Sequence, residues 1–184
     1  MRISALDPLG GKMKILLISD THNSTTKLEQ VILPKYASQV QIAIHLGDFA
    51  QDLLKFRQQY ANLKMLGVSG GFESGETEQV LTLNLLPCAE TSRPEEGKQV
   101  RILLTHGHER GVKSHLGRIA YYAKEKGVNA CFFGHTHEPV MFTESGIFFM
   151  NPGSVSEPRG GSRASFGVVT ISPEGEFSGE LRSL

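Results

Sequence analysis

Apolar residues in this chain gather in short continuous runs rather than in long stripes. Ile15-Leu16-Leu17-Ile18, Ile42-Ala43-Ile44, Met65-Leu66, Ile102-Leu103-Leu104 and Ala130-Cys131-Phe132-Phe133 are runs of this kind. An unbroken apolar run suits a strand covered on both faces. Strands are therefore predicted over Lys14–Ser19, Gln41–Leu46, Leu63–Val68 and Val100–Leu104, with another ending at Phe133. Glu78–Leu85 instead alternates Val80, Leu81, Leu83 and Leu85 with Thr82 and Asn84, as a strand with one wetter face does. Helical spacing follows the first strand from Thr26 toward Ser38, with Pro34 as an interruption, and the second from Gln51 to about Tyr60. A third helix is predicted over Lys113–Lys126, with Gly127 as its stop. Short strands at Val140–Thr143 and Ile147–Met150 flank a Glu144-Ser145-Gly146 turn, and Ser165–Ser172 with Glu176–Leu181 read as a closing hairpin. Strand–helix alternation in the first half and strands in the second point to an α/β fold of two packed sheets flanked by helices.

The runs also end alike. The first leads into Asp20-Thr21-His22, the second into Gly47-Asp48, another into His106-Gly107-His108, and Phe133 into Gly134-His135-Thr136-His137. Imidazole is the commonest transition-metal ligand among side chains. A mixed carboxylate and imidazole set without cysteine suits Mn, Fe, Zn, Co or Ni better than Ca or Mg. Asp20, His22, Asp48, His106, His135 and His137 are more ligands than one tetrahedral site uses. A carboxylate such as Asp48 can bridge two cations, and paired cations clamp the attacking and leaving oxygens of an in-line displacement. The residues alone thus point to a dinuclear hydrolase acting at phosphorus. His45, inside its strand, reads as a core histidine, and Gly134 as the residue that frees the backbone for a sharp exit.

Composition narrows the partners. The chain has 184 residues, enough for one domain with a sizeable core, taken as 13–184 after a disordered extension over 1–12. Lys+Arg and Asp+Glu both number 19, so no global field draws the protein to nucleic acid or an anionic membrane. Cys88 and Cys131, one in a loop and one in a buried strand, argue against a disulfide framework. With no apolar run of membrane-spanning length and no signal-like start, a cytoplasmic location is expected.

Taken in order, D-x-H, G-D, H-G-H and G-H-T-H closely resemble the calcineurin-like metallophosphoesterases. The segments His45-Leu46-Gly47-Asp48 and Asn151-Pro152-Gly153-Ser154 resemble the small phosphodiesterase branch of that superfamily. The resemblance runs from about Lys14 to the C-terminus. It implies a four-layer α/β/β/α sandwich with Asp20, His22, Asp48 and His137 on a first metal, and Asp48, His106 and His135 on a second. It also implies two divalent transition-metal ions, with manganese favoured, and a small phosphoester as substrate. A homo-oligomeric state is left open.

One departure stands out. The family carries Gly-Asn after its third strand, with the Asn on the second metal, and larger members add a His. Here Gly71 and Phe72 occupy those positions. The second site is therefore expected to be the weaker, its vacancy open to water, a substrate oxygen or Glu73. His108 becomes the candidate for contact with substrate or leaving oxygen, beside the alternative that it only supports His106. The expected activity is phosphodiester hydrolysis by a metal-activated hydroxide, with a preference for good leaving groups. Two alternatives are a mononuclear protein with slow residual activity and a catalytically weak or inactive protein-binding scaffold. The retromer scaffold subunit, of the same apparent fold, sets the precedent for the scaffold.

Overall fold

A computed structural model describes residues 1–3, 11–85 and 97–184. The strands are β1 (Arg2–Ile3), β2 (Met13–Ile18), β3 (Ile42–His45), β4 (Lys64–Gly67), β5 (Glu78–Asn84), β6 (Gln99–Thr105), β7 (Ala130–Phe132), β8 (Pro139–Glu144), β9 (Ile147–Pro152), β10 (Ser165–Ile171) and β11 (Phe177–Ser183). They form a five-stranded sheet in the order β11-β10-β2-β3-β4 and a six-stranded sheet in the order β1-β5-β6-β7-β9-β8. Both are mixed: β2, β3 and β4 run parallel, as do β6, β7 and β9, while the hairpin partners run antiparallel.

The continuous apolar runs are explained by what lies on each face. Ile15 and Leu17 of β2 meet Ile102, Leu104, Ala130 and Phe132 in the core between the sheets. Leu16 and Ile18 point the other way, beneath helical residues Leu28, Ile32, Leu33 and Leu53. Leu103, Cys131 and Phe133 face a third cluster with Ile119, Ala120 and Ala123 of the helix α3 (Gly117–Glu125). Helix, sheet, sheet and helix are therefore stacked in four layers, as the sequence implied.

Local differences have local causes. The first helix ends in α1 (Leu33–Tyr36), preceded by a π-helical turn over Leu28–Ile32. Pro34 has no N–H to give its turn, and the widened turn before it accommodates the ring. The second helix is short, α2 (Gln51–Leu54) followed by a 3₁₀ turn over Lys55–Arg57. The third begins at Gly117 rather than Lys113: residues 111–114 form a turn, and His115 Nδ1 accepts the Gly117 N–H at 2.8 Å where the helix starts. The β8–β9 turn is at Ser145-Gly146, both at positive φ, as a tight two-residue hairpin requires.

Arg2–Ile3 pair with β5 instead of joining a disordered extension, and the Met1 amino group donates to Val80 O at 3.0 Å. Residues 4–10, and the exposed loop expected over Pro87–Gln99 up to residue 96, lie outside the described residues, Cys88 among them. Cys131 is a buried free thiol whose pKa burial pushes up. No helix among the described residues is long and apolar enough to cross a membrane.

Candidate metal centre

Parallel strands deliver their C-terminal ends to one edge of a sheet, and here both sheets do so at the same end. Asp20 and His22 follow β2, Asp48 follows β3, His106 follows β6, and His135 and His137 follow β7. Their donor atoms gather into two groups, Asp20–His22–Asp48–His137 and Asp48–His106–His135. Within each group one donor atom from every residue lies within 4.8 Å of the others, and Asp48 belongs to both. All six candidate metal ligands named from the sequence are thus brought together. His108 is in neither group; its ring centre lies 5.3 Å from that of His106 and 6.0 Å from that of His135, tilted against both.

The histidine tautomers are set by second partners. His106 Nδ1–H donates to Leu46 O at 2.8 Å, and His137 Nδ1–H donates to Glu157 O at 2.7 Å. Each ring therefore turns Nε2 inward as a ligand atom. His22 Nε2 and His137 Nε2 face each other at 3.4 Å, and His135 Nδ1 and His106 Nε2 at 3.2 Å. Two imidazole nitrogens, each about 2.1 Å from one ion at a tetrahedral angle, would stand about 3.4 Å apart. Asp48 Oδ2 lies 3.7 Å from His22 Nε2 and 3.3 Å from His106 Nε2. Asp20 Oδ1, fully buried 3.2 Å from His137 Nε2, accepts no hydrogen bond. An orphaned buried carboxylate oxygen beside facing imidazole nitrogens is a donor set that fits a cation.

The charges are coupled accordingly. Burial works against ionisation of Asp20, but His137 and His106 beside it outweigh that penalty and hold its pKa below the ordinary value. Asp48 is held down to about 2: burial opposes, and the bond to His106 with the charges of the surrounding imidazoles prevails. His106 and His137 are pushed above the ordinary imidazole value despite burial, through Asp48 and Asp20 respectively. His135 goes the other way, down to about 4, through burial and the His106 charge.

His45 is a buried core histidine, as expected, and stays neutral with its pKa driven down to about 3 by burial. Its Nδ1 accepts from Gly47 N at 3.3 Å, so Nε2–H donates to Thr21 Oγ1 at 3.0 Å, and Thr21 donates onward to Asp52 Oδ2 at 2.7 Å. This chain of bonds fixes the residue between the two ligands of the D-x-H motif.

Other supporting residues are not evident from sequence spacing. Ser19 Oγ donates to Asp20 Oδ2 at 2.5 Å, and the same oxygen accepts the His135 N–H at 3.1 Å. Asn151 Nδ2 donates to Gly134 O and to Thr136 Oγ1, both at 2.9 Å, while Ser154 Oγ donates to Asp20 O at 2.7 Å. The Asn151–Ser154 segment is thus a clamp on two of the four loops that carry candidate ligands, those after β2 and β7; its resemblance marked it without giving this role. Gly134 is needed for close approach rather than for a left-handed turn: a Cβ there would meet Ser19 Oγ at 2.1 Å. The positive φ falls on His135 instead.

The departure at Gly71 is visible too. Gly71 N donates to Asp48 Oδ1 at 3.1 Å, and a Cβ on Gly71 would meet nothing closer than the His108 ring at 3.8 Å. Glu73 does not fill the vacancy. Its two carboxylate oxygens accept the N–H groups of Ala50 at 2.8 Å and Gly70 at 2.9 Å, which ties the glycine-rich loop to the start of α2.

Known proteins resemble this chain in sequence and fold. The family model for the calcineurin-like phosphoesterase superfamily domain matches residues 13–174. The probable metallophosphoesterase YsnB of Bacillus subtilis is 31% identical over 161 residues, covering 86% of this chain and 85% of its own. The phosphodiesterase YfcE of Escherichia coli is 32% identical over 170 residues, covering 85% of this chain and 87% of its own. Among solved structures, Vps29 of Entamoeba histolytica in complex with Zn²⁺ superposes with a TM-score of 0.67 at 18% identity, over 92% of this chain and 98% of that one, a likeness of fold. On the family match and these identities, the chain belongs to the calcineurin-like phosphoesterase superfamily.

Proposed function

We propose that this protein is a metal-dependent phosphodiesterase with two cation sites, Asp20, His22, Asp48 and His137 holding the first ion and Asp48, His106 and His135 the second. The observation that carries the reading is the pair of donor groups joined through Asp48. The relatives named as phosphodiesterases support the reaction class. When bound, the two cations, manganese among the fitting ions, supply Lewis acidity: they acidify a water and neutralise charge developing on the phosphoryl oxygens.

The chain's own residues do the rest. Asp48 fixes the spacing of the two sites through its shared position, and its Oδ1 is held by the Gly71 amide. His106 and His137, oriented by backbone carbonyls, must lose a proton before they can serve as ligands. His108 is the candidate for contact with the leaving oxygen, since its ring lines the second site and its buried Nδ1 has no partner. Phe72 can neither donate a proton nor stabilise charge, so the leaving group must depart with little help and aryl diesters are favoured over alkyl ones. The functional unit is a single domain over 13–184, to whose six-stranded sheet β1 is added at the edge.

The test is the rate on bis(p-nitrophenyl) phosphate against a dialkyl phosphate, with Mn²⁺ added. Hydrolysis of the aryl ester, abolished by a chelator and faster than the alkyl ester by at least about 100-fold, is expected. Equal rates would overturn the account of the leaving group.

A second reading has its own observation. Phe72 is 78% exposed beside the His22 ring, which puts an apolar ring at the mouth of the centre where a partner protein would cover it. A catalytically weak, protein-binding scaffold would use it so. Turnover separates the two, because a scaffold hydrolyses neither ester however many ions it holds.

A further inference from the structure

A cavity of about 440 Å³ opens beside the second half of the centre, between the segment leading into α3 and the loop that carries His135 and His137. Its lining includes apolar Val112, Leu116 and Val140. Two cations, Lys113 and Arg159, stand on its walls. Neither makes an ion pair among the described residues. Thr136, the residue between the two histidines, forms the wall shared with the metal centre. It is held there by Asn151, whose Nδ2 donates to its hydroxyl at 2.9 Å. Arg159 is tied to the centre by its backbone, its N–H donating to His137 O at 3.2 Å. Glu138 is the one carboxylate on the lining, and its side chain packs against Gly160, where a Cβ would lie 2.5 Å from Glu138 Cδ. The cavity lining therefore carries net positive charge beside apolar residues, and through Thr136 it adjoins the loop of His135 and His137.

We propose that this cavity receives the non-scissile arm of the diester and selects arms that carry a second phosphate, bound between Lys113 and Arg159. The proposal rests on the phosphodiesterase reading for its placement of the scissile phosphorus. The volume is in the range of pockets that hold a nucleoside-sized group. A sugar or base would lie on Val112, Leu116 and Val140, with its distal phosphate between the two cations. Charge-assisted contacts of this kind select for the anion rather than for the ring it is attached to.

Thymidine 5′-(p-nitrophenyl phosphate) and the same ester with a 3′-phosphate isolate the second anion. In the Mn²⁺-loaded wild type the 3′-phosphate is expected to lower KM about tenfold with kcat little changed. In the double variant Lys113→Gln/Arg159→Gln the two KM values should converge. A wild type indifferent to the 3′-phosphate, or a preference that survives in the double variant, would overturn the proposal. Should the variant fold poorly, salt gives the same reading in the wild type. The KM advantage is expected to shrink from 50 to 500 mM salt, and an unchanged advantage counts against the two cations.

If the metal-loaded wild type hydrolyses neither ester, the phosphodiesterase reading fails and the cavity is judged by binding alone. Calorimetry should then show thymidine 3′,5′-bisphosphate binding about tenfold tighter than thymidine 5′-phosphate, with the difference lost in the double variant. Equal affinities would overturn the pocket itself.

Discussion

Five of the six carboxylate and imidazole residues at the centre have left-handed backbone: Asp20 (φ 54°), His22 (46°), Asp48 (54°), His135 (71°) and His137 (62°). Such conformations cost on the order of 1–3 kcal/mol each and persist where the surroundings over-determine them. The surroundings are the buried bonds of Ser19, Thr21, Asn151 and Ser154. The six candidate ligands were legible because Asp and His recur at strand ends. The residues that hold them were not, since a serine or asparagine that clamps a loop has no spacing of its own. Glu73 shows the same limit: its acidity made it a candidate ligand, and its geometry commits both oxygens to backbone amides. At Gly71 the prediction is direct, because the backbone is not left-handed there and a side chain has room. Gly71→Asn should raise affinity for the second ion at least about tenfold, read by calorimetric titration with Mn²⁺. No gain would contradict the missing-ligand account.

At the scale of elements, the parallel strands do the positioning. β2 and β3 in one sheet and β6 and β7 in the other end at a common edge, so loops of a few residues suffice to bring the ligands together. The strands were legible because their burial on both faces leaves continuous apolar runs. Helix boundaries were less so: the start of α3 depends on the turn over 111–114 and the His115 bond, and the turn before Pro34 on how the chain relieves the missing N–H. The loop after β7 is held from outside by Asn151 near the end of β9, which gives an element-level prediction. Asn151→Ala removes one of the two donors to Gly134 O, the other being the Thr136 N–H, together with the bond to Thr136 Oγ1 and the acceptor of the buried Gly153 N–H, and should cost about 1–3 kcal/mol in denaturant unfolding. It should also weaken Mn²⁺ binding through His135 and His137, whose loop it releases. Unaltered stability and metal affinity would show that the loop holds itself.

For the whole molecule, the buried charges predict how the metal-free protein responds to pH. His106 and His137 have raised pKa values, so their contribution is complete below about 6.5 and is lost as pH rises through the folded values. His45, down to about 3, and His135, down to about 4, stay neutral in the fold, so theirs is complete above about 6.5 and is lost as pH falls. Asp48 adds to the acid limb as pH falls below its unfolded value of 3.8 toward about 2. The melting temperature of the metal-free protein should therefore peak near pH 6.5 and fall on both sides. Saturating Mn²⁺ should remove the alkaline decline, because the cations replace the lost protons among Asp20 and Asp48. A metal-free melting temperature that rises steadily to pH 9 would contradict this balance of charges.

The most direct measurement is the number of Mn²⁺ ions bound per chain by wild type, His135→Ala and Asp48→Ala, each checked for a native circular dichroism spectrum. Two ions in the wild type, the second weaker, only the tighter one in His135→Ala, and severe loss at both sites in Asp48→Ala are the results expected from two sites joined through one carboxylate. A wild type that takes up no metal, or two ions retained unchanged in Asp48→Ala, would contradict it.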